Sequence, residues 1–89
     1  MAMMGIEKNT DTILINGTPR IPDELNDTTI GEVKNVAYQY LSSQLRDSLA
    51  YARQNNLVFN LYVRASTRLS VPLEDLVNSG DINRIDILP

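Results

Sequence analysis

Two stretches decide how this chain is read: Arg20-Ile21-Pro22-Asp23-Glu24-Leu25-Asn26 and Gly31-Glu32-Val33-Lys34-Asn35-Val36. The second belongs to a strand predicted over 29–36. Side chains alternate between faces along a strand, so Glu32 and Lys34 project from one face. Pro22 cannot donate to a sheet ladder, so it ends a strand or sits at an edge and leaves Asp23 in a turn. Eight residues separate Asp23 from Glu32, with a further turn signal at Asn26-Asp27. Two carboxylates and an ammonium converging on one point are the minimum set for holding Mg²⁺ beside a water and a phosphodiester. Each residue also has an ordinary role: Asp23 as a turn former, Glu32 as a surface ion-pair partner of Lys34, Lys34 as a solvated lysine. Glu32 lies in an apolar strand, where a carboxylate needs a partner or an ion to offset desolvation. Gly31 before it allows close backbone approach.

Before these stretches, Thr12-Ile13-Leu14-Ile15 is a β-branched run ending at Asn16-Gly17, a strong hairpin signal. Thr18 to Ile21 reads as the returning strand, so the strand predicted over 29–36 completes a three-strand antiparallel meander. After it the period changes. Leu41, Leu45, Leu49 and Ala52 recur at helical spacing within a segment predicted from Tyr38 to Asn55, and Asn55-Asn56 suits a left-handed helix end. Leu57 to Arg64 is rich in Val, Phe, Leu and Tyr, as a central strand is. A long helix between two strands fits a crossover to a parallel neighbour. Pro72 opens a second helix capped by Ser70, with Glu74 and Asp75 near its positive end, Leu73, Leu76 and Val77 on one face, and Gly80 as its stop. Asn83 to Leu88 reads as an edge strand. The fold class is α/β (α+β), in the order β-β-β-α-β-α-β. Residues 1–11 are expected to be irregular and 12–89 to form the domain.

The 89 residues suit one domain with a small core. There is no cysteine and no histidine, which removes disulfides, thiolate sites, imidazole acid–base catalysis and the usual zinc sites. Carboxylate, lysine and hydroxyl chemistry remain, and hard oxygen ligands favour Mg²⁺ or Mn²⁺. The net charge of −3 is unusual for a nucleic-acid binder, although Arg20, Lys34, Arg46, Arg53, Arg64 and Arg68 could share a face. No apolar run approaches the ~20 residues of a membrane span, and no secretory leader is visible.

The pattern Pro22-Asp23, eight residues, Glu32-Val33-Lys34 resembles the PD-(D/E)xK nuclease superfamily, with its restriction-endonuclease-like core. Together with Gln44-Leu45-Arg46-Asp47, Leu61-Tyr62-Val63-Arg64 and Thr67-Arg68-Leu69-Ser70, it looks like the restriction-endonuclease-fold toxin domains at the C-terminal ends of bacterial polymorphic toxins. The resemblance implies a metal-dependent endonuclease acting on DNA. Asp23 and Glu32 would ligate Mg²⁺ or Mn²⁺ with the backbone carbonyl of Val33, whose side chain would face the core. Lys34 would orient the attacking water. Gln44 stands where some members carry a site glutamine, often followed by a tyrosine four residues on; here that place is Ser48. Arg20, Arg46, Arg64 and Arg68 are the candidate phosphate contacts, with Thr67 and Ser70 as weaker ones. Tyr38, Tyr40 and Tyr51 are either base-stacking or half-buried packing residues. Related cores place another glutamate on a preceding helix, for which Glu7 is the candidate. The resemblance also implies a cognate immunity protein and export within a larger toxin to act in a target cell's cytoplasm. Alternatives are a catalytically inactive binding module of the same fold, an RNase of the same fold, or a small structural domain.

Overall fold

The computed structural model describes residues 9–15 and 17–88. The main sheet has four strands in the order β3-β4-β6-β8: β3 (Glu24–Leu25), β4 (Thr29–Lys34), β6 (Val58–Arg64) and β8 (Asn83–Leu88). β3 runs antiparallel to β4, with Glu24 opposite Gly31. β4 and β6 are parallel, Thr29 meeting Val58 and Lys34 meeting Val63. β8 adds to β6 in parallel as the outer strand. The helix α1 (Ser43–Asn55) crosses from β4 to β6, and α2 (Val71–Asn78) from β6 to β8. The mixed α/β class, crossover helix, central parallel strand, second helix and edge strand are as the sequence predicts.

Alternation along β6 explains the layering. Phe59, Leu61 and Val63 turn to one face and join Ile30, Leu45, Leu49, Ala52, Leu73 and Ile82 in a single buried cluster. Both helices contribute to it, so both cover the same side of the sheet. Each of these side chains except Ala52 contributes roughly 1.5–3 kcal/mol by leaving water. The other face of the sheet carries Glu24, Gly31, Val33, Asn60 and Tyr62. Val33 is half-buried there and stands outside the core cluster, contrary to the expectation that its side chain faces the core.

The antiparallel part is connected differently from the predicted meander. β1 (Ile13–Ile15) and β2 (Thr18–Arg20) form their own two-stranded ribbon. Pro22, which has no N–H to give a ladder, stands between that ribbon and β3. Gly17 holds φ +79° in the hairpin turn, which a glycine adopts without strain; Asn16 lies outside the described residues. The ribbon is fastened to α1 through Arg20, whose guanidinium donates to Asp47 Oδ2 at 2.9 and 3.2 Å.

Two boundaries also move. β4 stops at Lys34 rather than Val36. α1 begins at Ser43 rather than Tyr38, because Ser42 is its N-cap and accepts from the Leu45 N–H at 3.3 Å. The chain before it makes β5 (Tyr38–Gln39), parallel to β7 (Arg68–Leu69) in a second small ribbon. Asn56 closes α1 at φ 55°, ψ 42°, the left-handed end anticipated for this asparagine pair. Ser70 occupies the N-cap position of α2 but makes no side-chain cap bond; its hydroxyl is buried without a partner.

Gly31 is needed for a packing reason. A Cβ there would lie 2.6 Å from Glu24 Oε1 and 2.9 Å from Tyr62 Cε2. Both neighbours are fixed: Glu24 Oε1 accepts from the Tyr62 hydroxyl at 2.8 Å and from Asn60 Nδ2 at 3.3 Å, and Asn60 Oδ1 accepts from Asn83 at 3.0 Å. Burial, with Glu24 beside it, pushes the Tyr62 phenol up to about 12. The close approach at Gly31 therefore serves this polar network, on the face away from Glu32. Gly31→Ala is expected to cost about 1–3 kcal/mol, as overpacking does. Part of that loss should return in Gly31→Ala/Glu24→Ala, which urea denaturation of the single and double variants measures.

Candidate active site

Glu32 is the centre of the site. It leaves β4 toward α1, is 1% exposed, and accepts a hydrogen bond from the Ser48 hydroxyl to Oε2 at 2.8 Å. Its other oxygen, Oε1, is buried with no partner among the described residues. Burial pushes the Glu32 carboxyl above its ordinary 4.5. The Asp23 carboxylate adds to that rise, while the Ser48 bond, the Lys34 ammonium and the Asp23 backbone N–H oppose it. The surface ion pair with Lys34 considered from sequence does not form.

Asp23 is positioned by the end of the β3–β4 ladder. One step beyond the Glu24–Gly31 pair, residue 23 lies across from Glu32, where facing side chains share a side of the sheet. Its Oδ2 accepts the Val33 N–H at 2.8 Å. The N–H and C=O of one strand residue face the same neighbour, so the Val33 carbonyl is directed toward this edge too. Asn9 fixes the turn from behind: its N–H donates to the Asp23 carbonyl at 3.0 Å, and its side-chain amide to the Pro22 carbonyl at 3.0 Å.

Lys34 follows Glu32 on the same face, at the C-terminal end of β4. Its Nζ donates to Gln44 Oε1 at 2.6 Å, and Gln44 is in the first turn of α1. Ser48, one helical turn further, faces the same way, so a single helix stripe meets both Lys34 and Glu32. Ser48 was not among the residues assigned to the site from sequence; its spacing of four from Gln44 is the signal that places it there.

The arginines are scattered. Arg20 is engaged by Asp47, an ion pair at 2.9 Å. Arg46 is exposed, reaching back to the Leu41 carbonyl at 3.4 Å. Arg64 has its Nε buried without a partner. Arg68 is exposed on β7. Arg53 pairs with Asp81 at 3.5 Å, nine residues and so about 14 Å along α1 from Gln44; the six cations do not share one face. The carboxyl of exposed Asp81 is held below the usual range by the Ser79 hydroxyl first, and by Arg53. Thr67 accepts from the Arg64 N–H in a local turn bond and donates to the Val36 carbonyl, which is distant in sequence. Arg84, which sequence reading passed over, donates through Nη2 to the carbonyls of Arg64, Ala65 and Thr67 at 2.9–3.2 Å. Glu7 lies outside the described residues.

Residues 2–73 match the family described as Restriction endonuclease fold toxin 7. The chain belongs to that family. The match takes in Asp23, Glu32, Lys34, Gln44 and Ser48 and ends within α2. No curated protein and no solved structure matches the chain. A restriction-endonuclease-fold toxin points to nuclease chemistry and to a secreted bacterial effector. No helix among the described residues is long and apolar enough to cross a membrane.

Nucleases of this fold generally use divalent metals, and the donors here fit one. Glu32 Oε1 is an orphaned buried acceptor, Asp23 has one carboxylate oxygen beyond that used by Val33, and all available donors are hard oxygens. Among the described residues no group of three such side chains gathers. Two carboxylates and a carbonyl still suit Mg²⁺, which retains several waters.

The raised pKa of Glu32 carries a pH signature. Between the unfolded value near 4.5 and the higher folded value, the folded state keeps a proton that the unfolded state has lost. The contribution of Glu32 to the stability of the metal-free protein is therefore fully present below 4.5 and is lost as pH rises through the folded pKa. Glu32→Gln removes that dependence and should raise Tm at neutral pH, by about 4–8 °C for each kcal/mol recovered in a domain of this size. Thermal melts of both proteins from acid to neutral pH, without divalent metal, test this.

Proposed function

We propose that this chain is a metal-dependent endonuclease that hydrolyses phosphodiester bonds of DNA, the toxin domain of a bacterial antagonistic effector. The observation that carries this reading is the buried Glu32 carboxylate, one oxygen tied to Ser48 and the other unpartnered, beside Asp23. Two acids side by side are unfavourable in a closed interior unless something positive joins them. Lys34 is directed to Gln44 instead, which leaves that place for a cation.

Asp23 and Glu32, with the Val33 carbonyl, hold the ion in this reading. A bound Mg²⁺ or Mn²⁺ supplies Lewis-acid polarisation of the phosphate and lowers the pKa of a coordinated water. Ser48 holds Oε2 of the Glu32 carboxylate and leaves Oε1 to meet the ion. Gln44 holds Nζ of Lys34, whose remaining donors orient the attacking water and stabilise charge building on the phosphoryl oxygens. Arg20, Arg46, Arg64 and Arg68 contribute to phosphate binding as far as their existing bonds leave them free. Residues 12–89 act as one nuclease domain, the segment 1–11 preceding it. The effector reaches a target-cell cytoplasm as part of a larger exported toxin, and an immunity protein in the producer covers this site.

The test is cleavage of supercoiled plasmid with Mg²⁺. Asp23→Asn, Glu32→Gln and Lys34→Ala should each lose about 10²-fold or more in rate. Equal activity in wild type and all three variants would remove the site from the chemistry; no activity in any would favour an inert binding module of the same fold. A parallel arm with structured RNA separates DNase from RNase. Independently of activity, calorimetric titration with Mn²⁺ should give a binding signal that Asp23→Asn abolishes.

A further inference from the structure

The chain between Lys34 and Gln44 forms a loop closed by the 2.6 Å bond between those two side chains. At its tip is β5, Tyr38–Gln39, followed by Tyr40. Gln39 turns inward, buried, and donates to the Tyr40 carbonyl at 2.7 Å. Alternation then sends Tyr38 and Tyr40 outward together, and they are 57% and 61% exposed. Arg68 is the register partner of Tyr38, so it emerges beside it and is also exposed. Arg46 is bonded to the Leu41 carbonyl, which places its guanidinium next to the chain leaving Tyr40. Two more of the exposed large apolar side chains, Val36 and Val71, lie within two residues of this ribbon.

Two exposed phenol rings flanked by two guanidinium groups that form no ion pair among the described residues make a surface with both base-stacking faces and phosphate-binding charge. Its position is constrained by covalent reach. Tyr38 is four residues from Lys34, and Tyr40 four from Gln44, so neither can be more than about 14 Å of backbone from the site. That span is about four nucleotides or fewer at the ~3.4 Å rise of one strand. Stacking requires bases whose faces are free, which an intact duplex does not offer.

Building on the nuclease reading above, we propose that the β5–β7 ribbon is a strand-holding platform: Tyr38 and Tyr40 stack on unpaired bases next to the scissile phosphate, and Arg46 and Arg68 take the flanking phosphates. The protein prefers single-stranded or flapped DNA to intact duplex. Because every base has a π-face, the platform adds little sequence preference.

The test reads binding and cleavage separately. Short single strands carrying 2-aminopurine report stacking by fluorescence quenching in the absence of metal, and hence without turnover. Wild type should quench the probe and bind single strand at least tenfold more tightly than the matching duplex. Tyr38→Ala and Tyr40→Ala should each weaken single-strand binding about tenfold and abolish part of the quench, with Tm unchanged because both rings are exposed. Tyr38→Phe and Tyr40→Phe should bind as wild type, and Arg68→Ala should weaken binding with a smaller salt dependence. In cleavage of flapped DNA the alanine variants should raise KM with kcat little changed. Undiminished binding by both alanine variants overturns the platform, as does equal affinity of wild type for single strand and duplex. Loss of binding to a protein inhibitor by the same variants, with DNA affinity intact, also overturns it and makes the face a protein interface. If plasmid cleavage fails while quenching behaves as stated, the platform stands and the catalytic reading alone falls.

Discussion

A single buried carboxylate sets the terms for the rest of the molecule. Glu32 sits where a strand facing α1 would ordinarily place a valine or isoleucine, two residues after Ile30 on the face that carries the buried cluster with Leu45 and Leu49. Removing a charge from water there is costly unless it is paired and hydrogen-bonded. Ser48 satisfies one oxygen only. The β3–β4 ladder stops at the point where Asp23 can turn its carboxylate toward the same place, and the first turn of α1 is fixed by Ser42 so that Gln44 meets Lys34. Strand end, turn and helix start are thus arranged around one unfavourable group, the pattern expected where stability is given up locally for chemistry.

The same strand keeps its two faces distinct. Glu32 and Lys34 serve the helix side, while Gly31 yields its side-chain volume to Glu24 and Tyr62 on the other. A sheet with helices on one side only must satisfy its second face by other means. Here a chain of hydrogen bonds from Asn83 through Asn60 and Tyr62 to Glu24 does so. It crosses β8, β6 and β3, so the strand bearing Glu32 is flanked by elements tied to one another across it.

Much of this was legible in the residues. Period 3.6 in 41–52, β-branched density in 57–64 and the Pro22 break identify the crossover unit, and alternation alone places Glu32 and Lys34 together. What escaped reading has identifiable causes. β5 and β7 are two residues each, too short to show a period. The first ribbon separated from the main sheet because Pro22 interrupts a ladder that hydrophobicity would have continued. Arg20 and Asp47 are far apart in sequence and meet only through tertiary packing, and Arg84 is recognised by carbonyls, which leave no mark on composition. Ser48 was hidden by the expectation of a larger residue at that place, although its helical phase was plain.

Arg84 has a consequence that depends on timing. It lies beyond the matched segment, on the last strand, and its guanidinium holds three carbonyls of the turn between β6 and β7. A ribosome delivers Asp23, Glu32, Lys34 and Gln44 between 40 and 61 residues before Arg84, and domains generally assemble as units. A nascent chain therefore carries every acid of the centre while that turn is still untied and the sheet lacks its outer strand. Completion of the sheet thus waits on a strand made after every residue of the site.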